Sequence, residues 1–260
     1  MADILLHIQN IKKTYFSKEK PIEALKGVTL DIHKGEILGL LGVNGAGKTT
    51  LSSIVATLHP PTAGDVIYNG QSIYKDLIGF RQKIGFCPQK PNFASALTVQ
   101  EHLIFAGRFF LMDTKTIKTR VDELMQRFGL DAYADKSPSI LSGGYKQRLL
   151  IARSLVHKPS LVILDEPTVA LDPHIRRQLW DIIKQLKSDG VTVLLTTHYI
   201  DEAEILSDRV CVLDKGNIRL IDTPANLMSS YSKENLEAVF LQLMHEGTDE
   251  MQTTLDKEIL

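Results

Sequence analysis

One segment near the start of the chain, Gly42–Thr49, has the GxxxxGK[ST] spacing of a phosphate-binding loop. Glycines let backbone N–H groups converge on phosphate oxygens, and the helix predicted to follow points its positive end at them. Lys48 can reach the terminal phosphates of a triphosphate, and the Thr49 hydroxyl can bind Mg²⁺. A plain glycine-rich turn is the alternative, but a predicted strand before the loop and a predicted helix after it favour nucleotide binding. The residues expected to contact the nucleotide are Gly42, Val43, Asn44, Gly45, Ala46, Gly47, Lys48, Thr49 and Thr50.

Two adjacent carboxylates, Asp165 and Glu166, follow the apolar run Leu161–Leu164. A phosphate-loop enzyme needs an acidic residue at the end of a neighbouring strand to hold Mg²⁺, and Asp165 fits that position. Glu166 stands one residue further on, where a carboxylate can polarise the water that attacks the γ-phosphate. A solvated pair of charges at a strand end is the alternative, and the preceding apolar run argues against it.

A second anion-seeking segment, Leu141–Gln147, places Ser142, Gly143 and Gly144 at the start of a predicted helix. A chain with one phosphate loop would bind one triphosphate, so this second segment has no anion within the same chain. The Leu-Ser-Gly-Gly sequence, standing between the phosphate loop and the aspartate–glutamate pair, resembles the signature of the ATP-binding cassette (ABC) family. The resemblance extends over roughly residues 4–222.

The family resemblance implies further roles. Tyr15 resembles the aromatic residue that stacks on adenine. Gln89 resembles the glutamine that senses Mg²⁺ and couples to the membrane partner, and His198 resembles the switch histidine that contacts the γ-phosphate. Val169–Asp172 resembles the loop that crosses to a second cassette.

In this family two cassettes pack head to tail, so that the signature of one closes over the ATP of the other. The resemblance therefore implies a dimer, and a homodimer is the simplest form of it. Two positions depart from the family pattern: Tyr145 replaces Gln or Met, and Val169 replaces a small polar residue. Neither change removes a group that does chemistry, and their effect on the coupling or rate between the two sites stays open.

Around these motifs the pattern predicts an α/β fold. The first seventy residues contain β-like runs at Ile4–Ile8, Val28–Ile32 and Val66–Tyr68, which indicate an antiparallel sheet, whereas Glu36–Leu41 is typical of a buried parallel strand. Helices are predicted from Thr98, which forms a capping box with Glu101, and over Thr116–Phe128. After them the predicted order is strand Leu161–Leu164, helix Ile175–Ser188, strand Val191–Thr196 and strand Val210–Leu213.

The expected fold is a P-loop NTPase core of mainly parallel sheet, with an antiparallel β subdomain and an inserted α-helical subdomain at about residues 90–158. The ATPase domain is expected to occupy residues 1–230. Residues 231–260 should form a C-terminal amphipathic helix, because its apolar residues recur at i, i+3, i+4, i+7 and i+8. Those residues are Leu236, Val239, Phe240, Leu243 and Met244. A mobile tail is expected after Gly247, because the residues there are polar and lack periodicity.

Composition and local sequence patterns argue against several classes of protein. Thirty Lys and Arg against thirty-one Asp and Glu give a net charge of −1, which offers no basic field for nucleic acid. Cys87 and Cys211 lie far apart without a CxxC or a nearby His, which favours buried thiols over zinc or a disulfide. Apolar runs such as Ile37–Val43 are too short to span a bilayer, and the N-terminus has no secretory signal, so the cytoplasm is the expected compartment.

The resemblance predicts an ATPase that drives transport through a separate integral membrane permease, at the cytoplasmic face of the cell (inner) membrane. The helical region from Gln89 to Phe128 is the expected docking surface. The C-terminal run Leu236–Leu243 resembles cassettes of ABC-2 type exporters of drugs, lipids and polysaccharides, which favours export. An importer, a soluble cassette acting on ribosomes or DNA, and a module that binds ATP without hydrolysing it are the alternatives. The cargo, the identity of the partner cassette and the number of permease chains stay open.

Overall fold

The computed structural model describes residues 3–16 and 20–244, and the description below refers to them. The strands are β1 Ile4–Tyr15, β2 Ile22–His33, β3 Ile37–Leu41, β4 Ala63–Tyr68, β5 Gln71–Ser72, β6 Ile84–Cys87, β7 Leu161–Asp165, β8 Thr192–Thr197, β9 Arg209–Asp214 and β10 Asn217–Asp222. The helices are α1 Lys48–Val55, α2 Leu77–Arg81, α3 Val99–Phe109, α4 Thr114–Phe128, α5 Gly143–Ser154, α6 Pro173–Ser188, α7 Ile200–Leu206, α8 Pro224–Ser230 and α9 236–244. Short 3-10 turns occur at Ile73–Lys75, Asp131–Tyr133 and Pro138–Ile140.

A six-stranded sheet in the order β10-β9-β3-β8-β7-β6 forms the centre of the fold. Its β9–β10 pair is antiparallel, and every other pair is parallel. β3 and β7 are buried throughout, which explains why their sequences are apolar without alternation. A second sheet, β2-β1-β4-β5, is antiparallel. The predicted α/β class with a mainly parallel core is confirmed.

The register of the parallel strands brings their carboxyl ends to one edge of the sheet. Leu41, the last residue of β3, pairs with Thr197 of β8. Asp165 of β7 pairs with Thr196. β6 lies beside β7 and ends at Cys87. The segments that follow these four strands therefore begin side by side.

Helices α3, α4 and α5 form a block between β6 and β7 along the chain. The predicted capping box begins α3: the Thr98 N–H donates to Glu101 Oε2 at 2.8 Å, and the Glu101 N–H donates to Thr98 Oγ1 at 3.2 Å. α4 starts two residues before the predicted helix, because Asp113 caps it by accepting from the Thr116 N–H at 2.9 Å. It ends at Gly129 as predicted, where φ is 63°.

Three apolar cores hold the molecule together. A helical core lies between α3–α6 and one face of the large sheet, a β-side core lies around α1 between the two sheets, and a C-terminal core joins β9 to α7, α8 and α9. β3 contributes to all three, with Ile37 in the helical core, Leu38 in the β-side core and Leu41 in the C-terminal core.

The C-terminal apolar stripe packs as the periodicity predicts. Leu236, Val239, Phe240 and Leu243 are buried in the C-terminal core, and Met244 packs against it. Glu204 of α7 accepts a hydrogen bond from the Leu236 N–H at 2.9 Å. The predicted mobile tail lies outside the described residues. In the part of the chain that the structure describes, no helix has both the length and the apolar character required to cross a membrane.

Several elements were not predicted. β6 is four residues long and contains Gly85, so it gives little β signal in the sequence. β10 and the short helices α2, α7 and α8 were also missed, and α6 begins two residues before the predicted start because Pro173 occupies its first turn. Cys87 and Cys211 are buried free thiols, and burial raises the pKa of each to about 12.

Phe128→Ala should destabilise the chain strongly, because Phe128 is fully buried in the helical core. We expect the free energy of unfolding to fall by about 3–5 kcal/mol in denaturant titrations. Phe109→Ala is the matched control, since this side chain is 74% exposed, and its loss should be within about 0.5 kcal/mol of zero. Equal losses for the two variants would contradict this account of the core.

Candidate active site

The phosphate loop connects β3 to α1. Gly47 caps α1 with φ at 109°, and a Cβ there would lie 2.7 Å from the Ala24 carbonyl oxygen, so only glycine fits. No side chain caps α1 and no acidic residue lies in its first turn, which leaves its N-terminal amides open to an anion. A cavity of about 260 Å³ lies above this end of the helix. It is lined by Ala24, Asn44, Gly45, Gly47, Lys48, Thr49, Thr50 and Glu166.

The Lys48 ammonium group is buried inside the loop. Its side chain is 4% exposed, and Nζ donates to the Gly42 carbonyl at 2.8 Å and to the Val43 carbonyl at 3.2 Å. The same Nζ lies 3.5 Å from Glu166 Oε1. Lys48 therefore holds the loop closed on itself and faces the carboxylate across the cavity.

Asp165 lies beneath the start of α1 and is 4% exposed. Its Oδ1 accepts from the Thr196 hydroxyl at 2.7 Å and from the Thr49 and Ser52 hydroxyls at 3.4 Å each. Burial raises the pKa of Asp165, and the nearby Glu166 charge adds to this, whereas the Thr196 hydroxyl opposes it. Three hydroxyls thus stabilise a carboxylate that its surroundings otherwise disfavour.

Glu166 is the point on which three predicted site residues converge. Gln89 Nε2 donates to Glu166 Oε2 at 2.8 Å. His198 Nδ1 lies 3.2 Å from the same oxygen, within ion-pair distance but without hydrogen-bond alignment, and Lys48 approaches the other oxygen. The carboxylate is 8% exposed. A buried carboxylate surrounded by donors in a cavity beside a phosphate loop can hold and orient a water molecule.

The backbone of Glu166 is constrained as well. Its φ is 47°, a left-handed conformation that is uncommon for a residue with a side chain. The Glu166 N–H lies 3.0 Å from Thr196 Oγ1 and 3.1 Å from the Thr196 carbonyl oxygen, which fixes this turn against β8. Strain of this kind at a cleft is common where a side chain must be aimed at a substrate.

The structure does not bring every predicted residue to this cavity. Tyr15 lies near the end of β1, 41% exposed, with the Lys13 ammonium 5.2 Å from its ring centroid. Ser142 precedes α5 without a side-chain cap, and Gly143 packs against Leu171 of the segment after Glu166. A Cβ on Gly144 would meet Ile175, which explains the glycine there.

Comparison with known proteins decides the family. A family model described as ABC transporter matches residues 25–169, more than half of the chain. The chain belongs to the ABC transporter family. A second family model, described as AAA domain, putative AbiEii toxin, Type IV TA system, matches the shorter segment 141–200.

Individual ABC relatives cover most of the chain. The linearmycin resistance ATP-binding protein LnrL of Bacillus subtilis (strain 168) is 37% identical over 95% of this chain and 76% of its own length. The Nod factor export ATP-binding protein I of Rhizobium sp. (strain N33) is 36% identical over 89% of this chain and 75% of its own length. ATP-binding cassette sub-family A member 17 of Rattus norvegicus is 37% identical, and this chain spans 13% of that protein's length.

Solved ABC structures share the fold. The ATP-binding subunit of an ABC transporter superposes with a TM-score of 0.82 at 26% identity, over 92% of this chain and 99% of that one. A dimeric ATP-binding cassette in a post-hydrolysis state, bound to ADP and Pi, superposes with a TM-score of 0.77 at 32% identity, over 84% of this chain and 98% of that one. The expected ATP-binding cassette fold and the assignment as an ATPase coupled to transport are confirmed.

Sequence reasoning missed three residues at or beside this cavity. Ser52 and Thr196 bind Asp165, and Ala24 lines the cavity. Ser and Thr within an apolar helix or strand are common, so neither stood out. The position of Thr196, directly opposite Asp165 in a parallel register, could have revealed it.

Tyr145, one of the two departures from the family pattern, packs within the helical block, with its ring 4.8 Å from that of Tyr133 and 5.3 Å from the Arg148 guanidinium. The other, Val169, is half-buried in the turn after Glu166. Neither side chain is among those that line the cavity.

Asp165→Asn should stabilise the nucleotide-free protein at neutral pH. Because burial raises the pKa of Asp165 above its unfolded value, wild-type stability falls as pH rises between the unfolded and folded pKa values. The variant lacks this loss, so we expect a gain of about 0.5–2 kcal/mol at pH 7 that disappears as pH falls below that window. Denaturant titrations at several pH values measure it.

Asp181→Asn, at an exposed position of α6, is the control and should show no comparable gain. If Asp165→Asn were less stable than wild type at pH 7, the carboxylate would be a net stabiliser of the apo fold, contrary to this assignment.

Proposed function

We propose that this chain is the ATP-binding and ATP-hydrolysing subunit of an ABC exporter, working at the cytoplasmic face of the cell membrane with a separate integral membrane permease. The observation that carries the proposal is the convergence of Lys48, Gln89 and His198 on Glu166 beside an uncapped helix N-terminus. Export is favoured because relatives that align over most of their length are named for linearmycin resistance and for Nod factor export.

The loop residues Gly42 to Thr50 bind the phosphates through their amides and through Lys48. In this proposal the Lys48 ammonium group exchanges its hydrogen bonds to the Gly42 and Val43 carbonyls for bonds to phosphate oxygens. The negative charge of the phosphates then offsets part of the positive charge that faces Glu166. Glu166 is the general base that orients and deprotonates the attacking water, and His198 contacts the γ-phosphate. Gln89 keeps the carboxylate oriented through its 2.8 Å hydrogen bond.

Mg²⁺ fits the oxygen groups at this site. Among the described residues no set of three or more His, Cys, Asp or Glu side chains is placed to bind a metal. Mg²⁺ does not need such a set, because it keeps several waters and uses substrate phosphates. Thr49, Asp165 and Gln89 would hold it, and when bound it would neutralise charge on the phosphates.

A second copy of the chain completes the site. Tyr15 is exposed enough to stack on adenine, whereas Ser142, Gly143 and Gly144 lie at the start of α5 and would close over the nucleotide of the partner. Similar cassettes have been solved as dimers, in one case with ADP and Pi bound. We propose a homodimer in the ATP-bound state, with Val169–Asp172 crossing between the copies.

The permease is proposed to dock in an apolar groove of about 550 Å³ beside the loop that follows β6. Phe105 and Phe109 of α3 line this groove while remaining 60% and 74% exposed. Asn92, three residues after Gln89, also lines it and accepts a hydrogen bond from Arg153. A cytoplasmic permease segment with an apolar face would therefore press on the same loop that holds Glu166.

Glu166→Gln tests the catalytic proposal. The amide keeps the shape of the site but cannot accept a proton, so steady-state ATP turnover should fall by about 10²–10⁴-fold while ATP binding persists. Glu237→Gln, on an exposed position of α9, should turn over ATP like wild type. Unchanged turnover in Glu166→Gln would show that another group is the base.

Replacing Phe105 and Phe109 with Ser tests the docking surface. The double variant should retain ATP hydrolysis by the isolated chain but lose co-purification with a multi-spanning protein from detergent-solubilised membranes, because the apolar contact area is lost. Leu241→Ser, a 52% exposed position outside the groove, is the control and should co-purify normally. Recovery of the wild type only with ribosomes or DNA would overturn the proposal of an exporter working with a permease.

A further inference from the structure

A carboxyl group outside the cavity, that of Glu202, is fully buried with 0% exposure. It lies in the first turn of α7. Its Oε1 accepts from the Thr168 hydroxyl at 2.8 Å and from the Trp180 indole N–H at 2.9 Å. Burying a carboxyl group costs free energy of folding. A fold can retain such a group because its hydrogen bonds fix the positions of neighbouring segments.

The partners of Glu202 come from segments that carry the chemistry. Thr168 is two residues after Glu166 and directly precedes the proposed crossing loop. Glu202 itself is four residues after His198, on the helix that the histidine segment enters. One carboxyl oxygen therefore connects the segment of the proposed base with the segment of the proposed γ-phosphate contact, and Trp180 anchors both to α6.

A second set of contacts runs beside the first. The Arg176 guanidinium lies 4.0 Å from the Tyr199 ring centroid and 5.4 Å from that of Trp180, and it pairs with Asp201 at 3.1 Å. The Tyr199 ring lies 4.3 Å from that of His198. The His198 ring therefore packs against Tyr199, which in turn packs against Arg176 of α6.

Stability of the fold alone does not explain a glutamate at position 202. Burial raises its pKa, while the Thr197, Thr168 and Trp180 groups and the Arg176 charge lower it. Its Oε2 has no donor in hydrogen-bond geometry. A leucine of similar volume would fill this place without the desolvation cost, so the carboxylate is better explained by the connection that it makes.

We propose that Glu202 is a positioning residue for ATP hydrolysis, which ties the Glu166 segment and the crossing loop to the His198 segment through Thr168 and Trp180. The inference rests on the proposed roles of Glu166 and His198. A displacement of the crossing loop by a partner cassette then reaches the histidine through the Thr168–Glu202 hydrogen bond. Glu202 touches neither nucleotide nor water in this assignment.

Glu202→Leu and Glu202→Gln separate positioning from bulk packing. Leucine keeps the volume but accepts no hydrogen bond, so the kcat of ATP hydrolysis should fall about tenfold or more while the KM for ATP stays within about twofold. Glutamine keeps an acceptor for Thr168 and Trp180, so it should restore most of the lost kcat. Thermal unfolding of each variant reports whether the fold is intact.

Thr168→Val removes only one side of the connection and is the milder variant. It should lower kcat with KM preserved, and its effect should be non-additive with that of Glu202→Leu because both break the same bond. If Glu202→Leu does not fold, Thr168→Val decides the matter. An unchanged kcat in Thr168→Val, additive losses, or a glutamine variant as slow as the leucine variant would overturn the proposal.

Glu166→Gln distinguishes this proposal from the one on which it rests. If Glu166→Gln abolishes turnover and the Glu202 and Thr168 variants behave like wild type, only the positioning role fails. If Glu166→Gln leaves turnover unchanged, the assignment of the base fails, and the Glu202 proposal fails with it.

Discussion

Four parallel strands end along one edge of the large sheet, and the site depends on that alignment. The phosphate loop, the Gln89 loop, the Asp165–Glu166 pair and the His198 segment each begin where a strand stops, so backbone pairing sets their spacing before any side chain contributes. A register slip of one residue would turn Asp165 away from Thr196 and reverse the facing of every side chain on that strand. The parallel pairing thus places groups that lie more than a hundred residues apart in sequence within hydrogen-bond distance.

Three charged side chains are buried at this edge of the sheet, and hydroxyl groups donate hydrogen bonds to one of them. Lys48, Asp165 and Glu166 are each less than a tenth exposed. Thr49, Ser52 and Thr196 supply hydrogen bonds to Asp165 that water would otherwise supply. Such an arrangement costs stability, and the proposed nucleotide and Mg²⁺ would offset that cost by sharing the charge. The layer of hydroxyls behind the carboxylates is therefore as necessary to the site as the carboxylates themselves.

The sequence predicts well what depends on local spacing. The phosphate loop, the acidic pair after an apolar run, the capping box at Thr98 and the apolar stripe of α9 all rest on neighbours within a few residues. Gln89 and His198 have no such signal, and only the family resemblance identified them. Ser52, Thr196 and Glu202 were missed because their environment is created by tertiary contacts: Glu202 lies in the acidic run from Asp201 to Glu204, which resembles a solvated helix face, yet it is fully buried.

The strand that leads into the phosphate loop belongs to all three apolar cores, with Ile37, Leu38 and Leu41 each buried in a different one. Loss of any one core would expose part of that strand, so we expect the three cores to depend on one another for stability. A nucleotide bound at the adjoining loop would then stabilise all three cores through that strand. The free energy of nucleotide binding at this one turn would in this way also stabilise surfaces far from it, including the apolar groove lined by α3.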